Sequence, residues 1–203
     1  MTLPVESAGQ VLAVPGVAAV TPVGQHLEMK GESGLGLRQI DGVEFDHYSA
    51  ITKIRIVEGN PLPEAGDVVV VDVKYAAARK TKVGDRINLL DRDFRVTGIY
   101  EPETGAWIMI PLQTMQESLG VAGKCSMLMV KCANPGEQEA VARRIGRRDP
   151  DARVAGKLDA NPDGGRTRLL DLRRGDRARE RADRRALSRA ARRRAGSGRG
   201  AQL

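Results

Sequence analysis

Apolar positions in the first three quarters of the chain recur mostly at every second residue or in short unbroken runs, which is typical of strands. VVVVDV, which begins at Val68, is one such run and predicts a buried strand. Alternation or short apolar runs also predict strands in VAAV and QHLEMK on either side of Pro22, and in LRQI, ITKIRI, INLL, FRVTGIY, AWIMIPL and CSMLMVKC.

Short helices are predicted between these strands from capping and stop signals. The segment 6–14 has Ser7 as a possible cap and ends at Pro15. KYAAARKT is a second helix, and QTMQESLG is a third, with Gly120 after its last turn. A fourth helix is predicted over 137–145, with Val141 and Ile145 facing inward, and Asn134 or Gly136 as its cap.

The order of these elements predicts an α+β fold with mostly antiparallel strands. A βα-type subdomain is expected to carry an inserted β-rich subdomain at about 52–112, together forming a core domain over 1–157. Asp41-Gly42 is predicted to be a turn, and Asp91-Arg92-Asp93 the turn of a hairpin. An Arg-rich tail over 158–203 is expected to be disordered or loosely helical and outside the fold, because it has no continuous apolar face.

The positive charge of the chain comes from this tail. Residues 166–203 hold 14 Arg, no Lys and four acidic residues, a formal charge of +10, whereas the whole chain is +7 and the remainder therefore −3. The body gives no reason to expect a polyanionic partner.

The tail could be a plain solvated linker, and three other interpretations are open. It could be an arm that binds nucleic acid, or a juxtamembrane segment that binds anionic lipid. It could also be the out-of-frame reading of a GC-rich gene, which is the interpretation we favour, because Arg, Ala and Gly dominate it and it lacks Ile, Val, Met and aromatic residues.

A search for catalytic or ligand-binding patterns finds none that converges. His26 and His47 have no metal-ligand spacing, and there is no nucleophile elbow, zinc-protease motif or Walker-type phosphate loop. GESGLG at 31–36 does not follow a strand and precede a helix, and Asp91 and Asp93 are turn residues rather than a carboxylate pair. We therefore predict no catalytic, cofactor-binding or metal-binding residue, no cofactor, and a protein that is not an enzyme.

Two further features have simple structural interpretations. Cys125 and Cys132 are expected on opposite faces of one strand, about 23 Å apart, as buried free thiols rather than a disulfide or redox pair. Trp107, Ile108 and Met109 could form an exposed contact patch. We favour the interpretation that alternate residues of this segment face the core.

No apolar run is long enough for a membrane helix, and the N-terminus lacks the basic and apolar regions of a signal peptide. As written, the chain is thus expected to be soluble and to carry no export signal.

Several segments, taken in order, resemble the MacB-like periplasmic core domain of ABC transporter permeases of the macrolide-exporter and lipoprotein-release type. The segments are VPGVAAVTPV, IRIVEGNPLP, GDVVVVDVKYAAA, KVGDRINLLDRDFRVTGIYE, WIMIPLQTMQESLG and SMLMVKCANPGEQEAVARRI. The resemblance covers about 6–155, and EGN stands where the family usually has EGR.

The resemblance implies a non-catalytic domain on the outer side of the cell membrane that passes conformational change to substrate or to an adaptor protein. ATP hydrolysis would take place in a separate ATPase domain or subunit. One membrane helix would precede the domain and three would follow, so the chain is expected to be a truncated permease.

The expected partners are the remainder of the transporter, an adaptor or cargo, and a second copy through the missing membrane part. The alternative function is a small soluble RNA-binding protein that uses its Arg-rich tail, although nucleic acid is the less favoured partner.

Overall fold

The computed structural model describes residues 1–29, 37–102 and 107–148, and the backbone of two further strands, 152–160 and 166–174. The strands are β1 (Leu3–Pro4), β2 (Val17–Met29), β3 (Leu37–Val43), β4 (Arg55–Gly59), β5 (Val68–Asp72), β6 (Arg86–Leu89), β7 (Arg92–Glu101), β8 (Ile108–Pro111), β9 (Lys124–Cys125), β10 (Met127–Cys132), β11 (Ala152–Ala160) and β12 (Arg166–Arg174). The helices are α1 (Ser7–Leu12), α2 (Phe45–Thr52), α3 (Val73–Arg79), α4 (Leu112–Ser118) and α5 (Gln138–Arg148), and a short 3₁₀ turn (Pro135–Glu137) precedes α5.

Ten of these strands form one mixed sheet in the order β11-β12-β10-β2-β3-β8-β5-β7-β4, with β6 paired to β7. The pairs β3–β8 and β5–β7 are parallel, and the other pairs in this sheet are antiparallel. The two short strands β1 and β9 pair separately. The predicted α+β class is confirmed, and the segment predicted as a β-rich insert supplies β4 to β8.

Helices cover both faces of the sheet and create separate apolar cores. Helix α2 buries Phe45, Tyr48 and Ile51 on the face that carries Val43 of β3. Helix α4 buries Met115 on the opposite face, which carries Ile40. Helices α1 and α5 cover β10 with Val11, Val141 and Ile145. These residues form a third apolar cluster together with Leu128, Val130 and both cysteines.

Strand β2 runs without interruption through Pro22, contrary to the two pieces predicted from sequence. The ladder with β3 begins only at Val23, opposite Val43, whereas Pro22 pairs with Leu128 of β10. Alternate residues point their N–H groups to opposite sides, so the missing N–H of Pro22 falls on the side where β3 has already ended.

The predicted Asp41-Gly42 turn is also wrong, because both residues are buried inside β3. A Cβ at Gly42 would stand 2.8 Å from Sδ of Met115. The glycine is therefore needed for the close approach of α4 rather than for a turn. The segment after it forms helix α2, which was not among the predicted helices because its apolar residues are too few to show a clear helical period.

The β6–β7 hairpin has a two-residue turn, Leu90-Asp91, one position earlier than predicted. Both turn residues have positive φ, 51° and 59°, as the primed turns of tight hairpins require. Gly120 follows Leu119, the C-cap residue of α4, and has a φ of 63°, which confirms its predicted position after the last turn of the helix. The predicted helix caps at Ser7 and Asn134 make no side-chain capping bond, and Glu6 precedes α1 instead.

The tail was predicted to be disordered or loosely helical, and this prediction is wrong for Arg166–Arg174. This segment is strand β12, which pairs with β10 on one side and β11 on the other. The edge of β10 opposite β2 offers main-chain groups that such a strand can pair with. Strand β11 spans the expected boundary at 157, which remains a prediction, and 175–203 lies outside the described residues.

Candidate interaction surfaces

The residues considered for chemistry in the sequence do not come together. His26 and His47 line different grooves, and Nδ1 of His47 is hydrogen-bonded to Glu44 Oε2 at 2.9 Å. Asp91 is exposed, and Asp93 accepts a hydrogen bond from Asn88. No group of three or more His, Cys, Asp or Glu in the described part of the chain could hold a metal ion. GESGLG at 31–36 lies outside the described residues.

Cys125 and Cys132 are free and buried, as predicted, but they face the same apolar core. The expectation of opposite faces is wrong because Ser126 interrupts the strand between β9 and β10 and resets the alternation. Burial raises the pKa of Cys125 to about 11, and it raises the pKa of Cys132 as well. Both thiols are therefore protonated at neutral pH and poor nucleophiles.

The outer halves of β2 and β3, Gln25–Met29 and Leu37–Gln39, form a two-stranded ribbon, which we call the β2–β3 ribbon. One face of the ribbon is fixed by polar contacts. The Arg38 guanidinium forms an ion pair with Glu28, its cross-strand partner, and donates to the carbonyl of Asn88 at 2.7 Å. The other carboxylate oxygen of Glu28 accepts from the Leu90 N–H at 2.6 Å. These bonds attach the ribbon to the β6–β7 turn.

The other face of the β2–β3 ribbon is apolar and exposed. The exposed fractions are 61% for Leu27, 88% for Met29 and 61% for Leu37, and Met29 lies directly opposite Leu37. Trp107 is 53% exposed and immediately precedes Ile108, which pairs with Ile40 of β3. Because side chains alternate between the two faces of a sheet, Trp107 lies on the same face as Leu37. Four of the six exposed large apolar side chains in the described part of the chain therefore lie together.

Trp107 is the exposed member of the triplet considered from sequence. Ile108 and Met109 are fully buried, and they belong to the cores on opposite faces of the sheet. The favoured interpretation, core-facing alternation, is confirmed for these two residues, and a contact patch of all three is wrong. The alternation in QHLEM does place Leu27 and Met29 on one face, but alternation alone does not distinguish an exposed face from a buried one.

A groove of about 690 Å³ lies at the opposite end of β3. It sits outside the carboxyl ends of the parallel strands β3 and β8, where the helices that follow, α2 and α4, diverge to opposite faces of the sheet. Open α/β sheets commonly bind ligands at such a point. Phe45, Leu62, Pro63 and Leu112 supply apolar surface to the groove, together with Val5. Its polar side chains are Glu44, Asp46, His47, Glu64, Gln113 and Gln116.

Within the described residues, no helix combines the length and the apolar character needed to span a membrane.

Residues 2–148 match the family described as the MacB-like periplasmic core domain, and the chain belongs to this family. The resemblance seen in the sequence is thereby confirmed. No curated protein matches the chain.

Two solved structures show the same fold. The extracellular domain of the noncanonical ABC-type transporter YknZ from Gram-positive bacteria has 15% identity and a TM-score of 0.58, with 72% of this chain and 81% of that chain covered. The periplasmic region of MacB from Actinobacillus actinomycetemcomitans has 16% identity and a TM-score of 0.56, with 72% of this chain and 74% of that chain covered.

Proposed function

We propose that this domain is a non-catalytic coupling module on the outer side of the membrane, within an ABC transporter permease. It passes conformational change between the ATP-driven part of the transporter and a substrate or adaptor protein. The observation that carries the proposal is the family match over residues 2–148.

The position of the two candidate surfaces on shared strands supports this role. Strand β3 runs from Leu37 in the β2–β3 ribbon to Val43 beside the groove, a length of roughly 20 Å. Its parallel neighbour β8 follows directly after Trp107 and leads into Leu112 of α4, which lines the groove. Two hydrogen-bonded strands in the middle of a sheet form a continuous connection, so we expect a displacement at the ribbon to be passed to the groove.

The groove is where we place the substrate or the contacting part of a cargo. Its apolar residues, which include Phe45 and Leu62, suit an apolar group, and the surrounding carboxylates and amides can orient a polar one. The adaptor and the remaining parts of the transporter are the proposed protein partners.

Hydrogen exchange in the assembled transporter tests the coupling role. We expect ATP, compared with the nucleotide-free state, to change the protection of β3 and of the segments that line the groove. A non-hydrolysable ATP analogue serves as the control that separates binding from turnover. Identical exchange in all nucleotide states would contradict the proposal.

A further inference from the structure

We infer that the groove at the carboxyl ends of β3 and β8 binds a basic peptide segment of a partner protein, in which a lysine or arginine side chain lies next to an apolar one. This assignment rests on the proposed function, because it takes the groove as the place where the domain contacts its cargo.

The charge of the groove favours a cationic ligand. Apart from His47, the ionisable side chains that line it are all acidic. Glu44 and Asp46 come from the junction of β3 and α2, and Glu64 comes from the loop between β4 and β5. No Lys or Arg side chain of the described residues lines the groove. Negative charge is therefore presented by separate segments, and a ligand with positive charge along its length complements it.

Most of this negative charge is not neutralised within the domain. Asp46 and Glu64 form no ion pair within the described residues. Acidic side chains elsewhere differ in this respect, since Glu28, Asp67 and Glu101 each pair with an arginine. A cation bound in the groove would give Asp46 and Glu64 the partner that the domain itself does not supply.

The uncharged polar side chains of the groove present hydrogen-bond acceptors. Gln113 Nε2 donates to Glu117 Oε1 at 2.9 Å, and Gln116 Nε2 donates to the Lys124 carbonyl at 2.8 Å. These bonds fix the orientation of both amides, and no donor of the described residues reaches either Oε1 atom. Nδ1 of His47 is bonded to a carboxylate, so Nε2 is the acceptor of the neutral ring. The lining therefore requires N–H donors as well as positive charge.

A basic peptide brings both kinds of group. A lysine ammonium or an arginine guanidinium carries several N–H donors, and each residue other than proline adds one on the main chain. Val5, Phe45, Leu62 and Pro63 provide apolar surface, on which a neighbouring apolar side chain can lie. A tertiary amine would bring a single donor, and an acidic segment would place like charges together.

Fluorescence anisotropy of a rhodamine-labelled peptide of alternating lysine and leucine, mixed with the full chain, tests the inference. We expect saturable binding that weakens as salt is raised, because the contacting charges are exposed to solvent. Glu64→Gln and Asp46→Asn should each raise the dissociation constant about threefold to fivefold, since each removes one charged contact and keeps the size of the side chain.

Glu139→Gln is the matched control, because it removes the same charge from an exposed glutamate on α5. Its dissociation constant should equal that of the wild type. Absence of saturable binding, or equal losses in all three variants, would overturn the inference.

Altered ligands separate charge, donors and chain. Trimethylation of the lysines keeps their charge but removes their N–H donors, and it should weaken binding about threefold or more. Hexylamine, added as a competitor at the same concentration of ammonium groups, should displace the peptide poorly, because it lacks main-chain donors and a second charge. Equal affinity of the trimethylated peptide, or equal displacement by hexylamine, would contradict the assignment of a donor-rich peptide.

The outcomes separate this inference from the coupling role. A chain that binds no basic peptide, but whose hydrogen exchange still responds to ATP in the transporter, would refute the peptide site and leave the coupling role supported. A chain that binds the peptide, in a transporter with no nucleotide response, would do the reverse.

Discussion

Glu28 of β2 and Arg38 of β3 lie directly opposite each other and form an ion pair, and the same two side chains hydrogen-bond the main chain of the β6–β7 turn. Both side chains are largely buried, with 14% and 17% of their surface exposed. The pair therefore explains how a ribbon with one exposed apolar face is held against the rest of the domain.

Replacing Glu28 with Gln should destabilise the domain by about 1–3 kcal/mol, since a charged acceptor is lost and Arg38 keeps its charge without this partner. The measurement is the free energy of unfolding in urea.

Glu139→Gln is the control for that change, because Glu139 pairs with Arg143 at 3.6 Å but is 92% exposed. Its effect should be within the error of the measurement, as for other exposed ion pairs. Equal losses in both variants would show that the Glu28 pair contributes no more than a surface pair.

Gly98 is predicted to be intolerant of any side chain. A Cβ at this position would lie 2.5 Å from the carbonyl oxygen of Asn60 and 3.1 Å from that of Glu58, and both are backbone atoms. Gly98→Ala should therefore lower the free energy of unfolding by about 2–3 kcal/mol, the cost of an overpacked site.

Gly146→Ala is the matched control, for which we expect a gain in stability rather than a loss. Gly146 lies in α5, and a Cβ there meets nothing within 4 Å. Alanine should raise stability by about 0.5–1 kcal/mol, because glycine in a helix loses more conformational freedom on folding. A Gly98→Ala variant whose unfolding midpoint is unchanged or raised would show that the assigned crowding at Gly98 is wrong.

Cys125 should make stability fall at alkaline pH. Burial raises the pKa of this thiol from 9.0 to about 11. The stabilising contribution is fully present below pH 9, and it is lost as the pH rises towards 11, because only the unfolded chain ionises in that interval. The loss amounts to about 2–3 kcal/mol.

The measurement is the free energy of unfolding below pH 9 and near pH 11 in the wild type and in Cys125→Ala. The variant keeps the other alkaline titrations, so its stability should fall less over the same interval. Parallel pH profiles would contradict the burial-driven shift.

Exposure on the outer side of the membrane can be tested by labelling intact cells that produce the whole transporter. A membrane-impermeant maleimide should label Met29→Cys, since this side chain is 88% exposed, and leave the buried Cys125 and Cys132 unlabelled. The wild type supplies the background. Labelling of Met29→Cys only after the cells are opened would place the domain on the inner side.

The sequence was sufficient to predict the fold class and most strands, because alternation and apolar runs report directly on burial in a sheet. Val141 and Ile145 were likewise predicted to face inward, and both are buried. The errors fall where a local signal had two meanings. Gly42 follows an aspartate as in a tight turn, yet it is buried in a strand because Met115 needs the space.

The candidate surfaces were less accessible to sequence reasoning. Leu27 and Met29 alternate with polar residues as a buried strand face would, and only their exposure in the described structure shows that this face is uncovered. The groove depends on α2 and α4 leaving adjacent parallel strands towards opposite faces, and this connectivity is a tertiary property that no local pattern encodes.

The fluorescence of Trp107 provides the most direct measurement of the coupling role. It is the only tryptophan of the chain, and it lies half exposed immediately before β8, the strand that leads to the groove. In an assembled transporter whose other tryptophans are replaced by phenylalanine, ATP should change the emission of Trp107 or its quenching by acrylamide. ADP should leave both signals at their nucleotide-free values. Emission and quenching that are the same with ATP, with ADP and without nucleotide would contradict a coupling role for this domain.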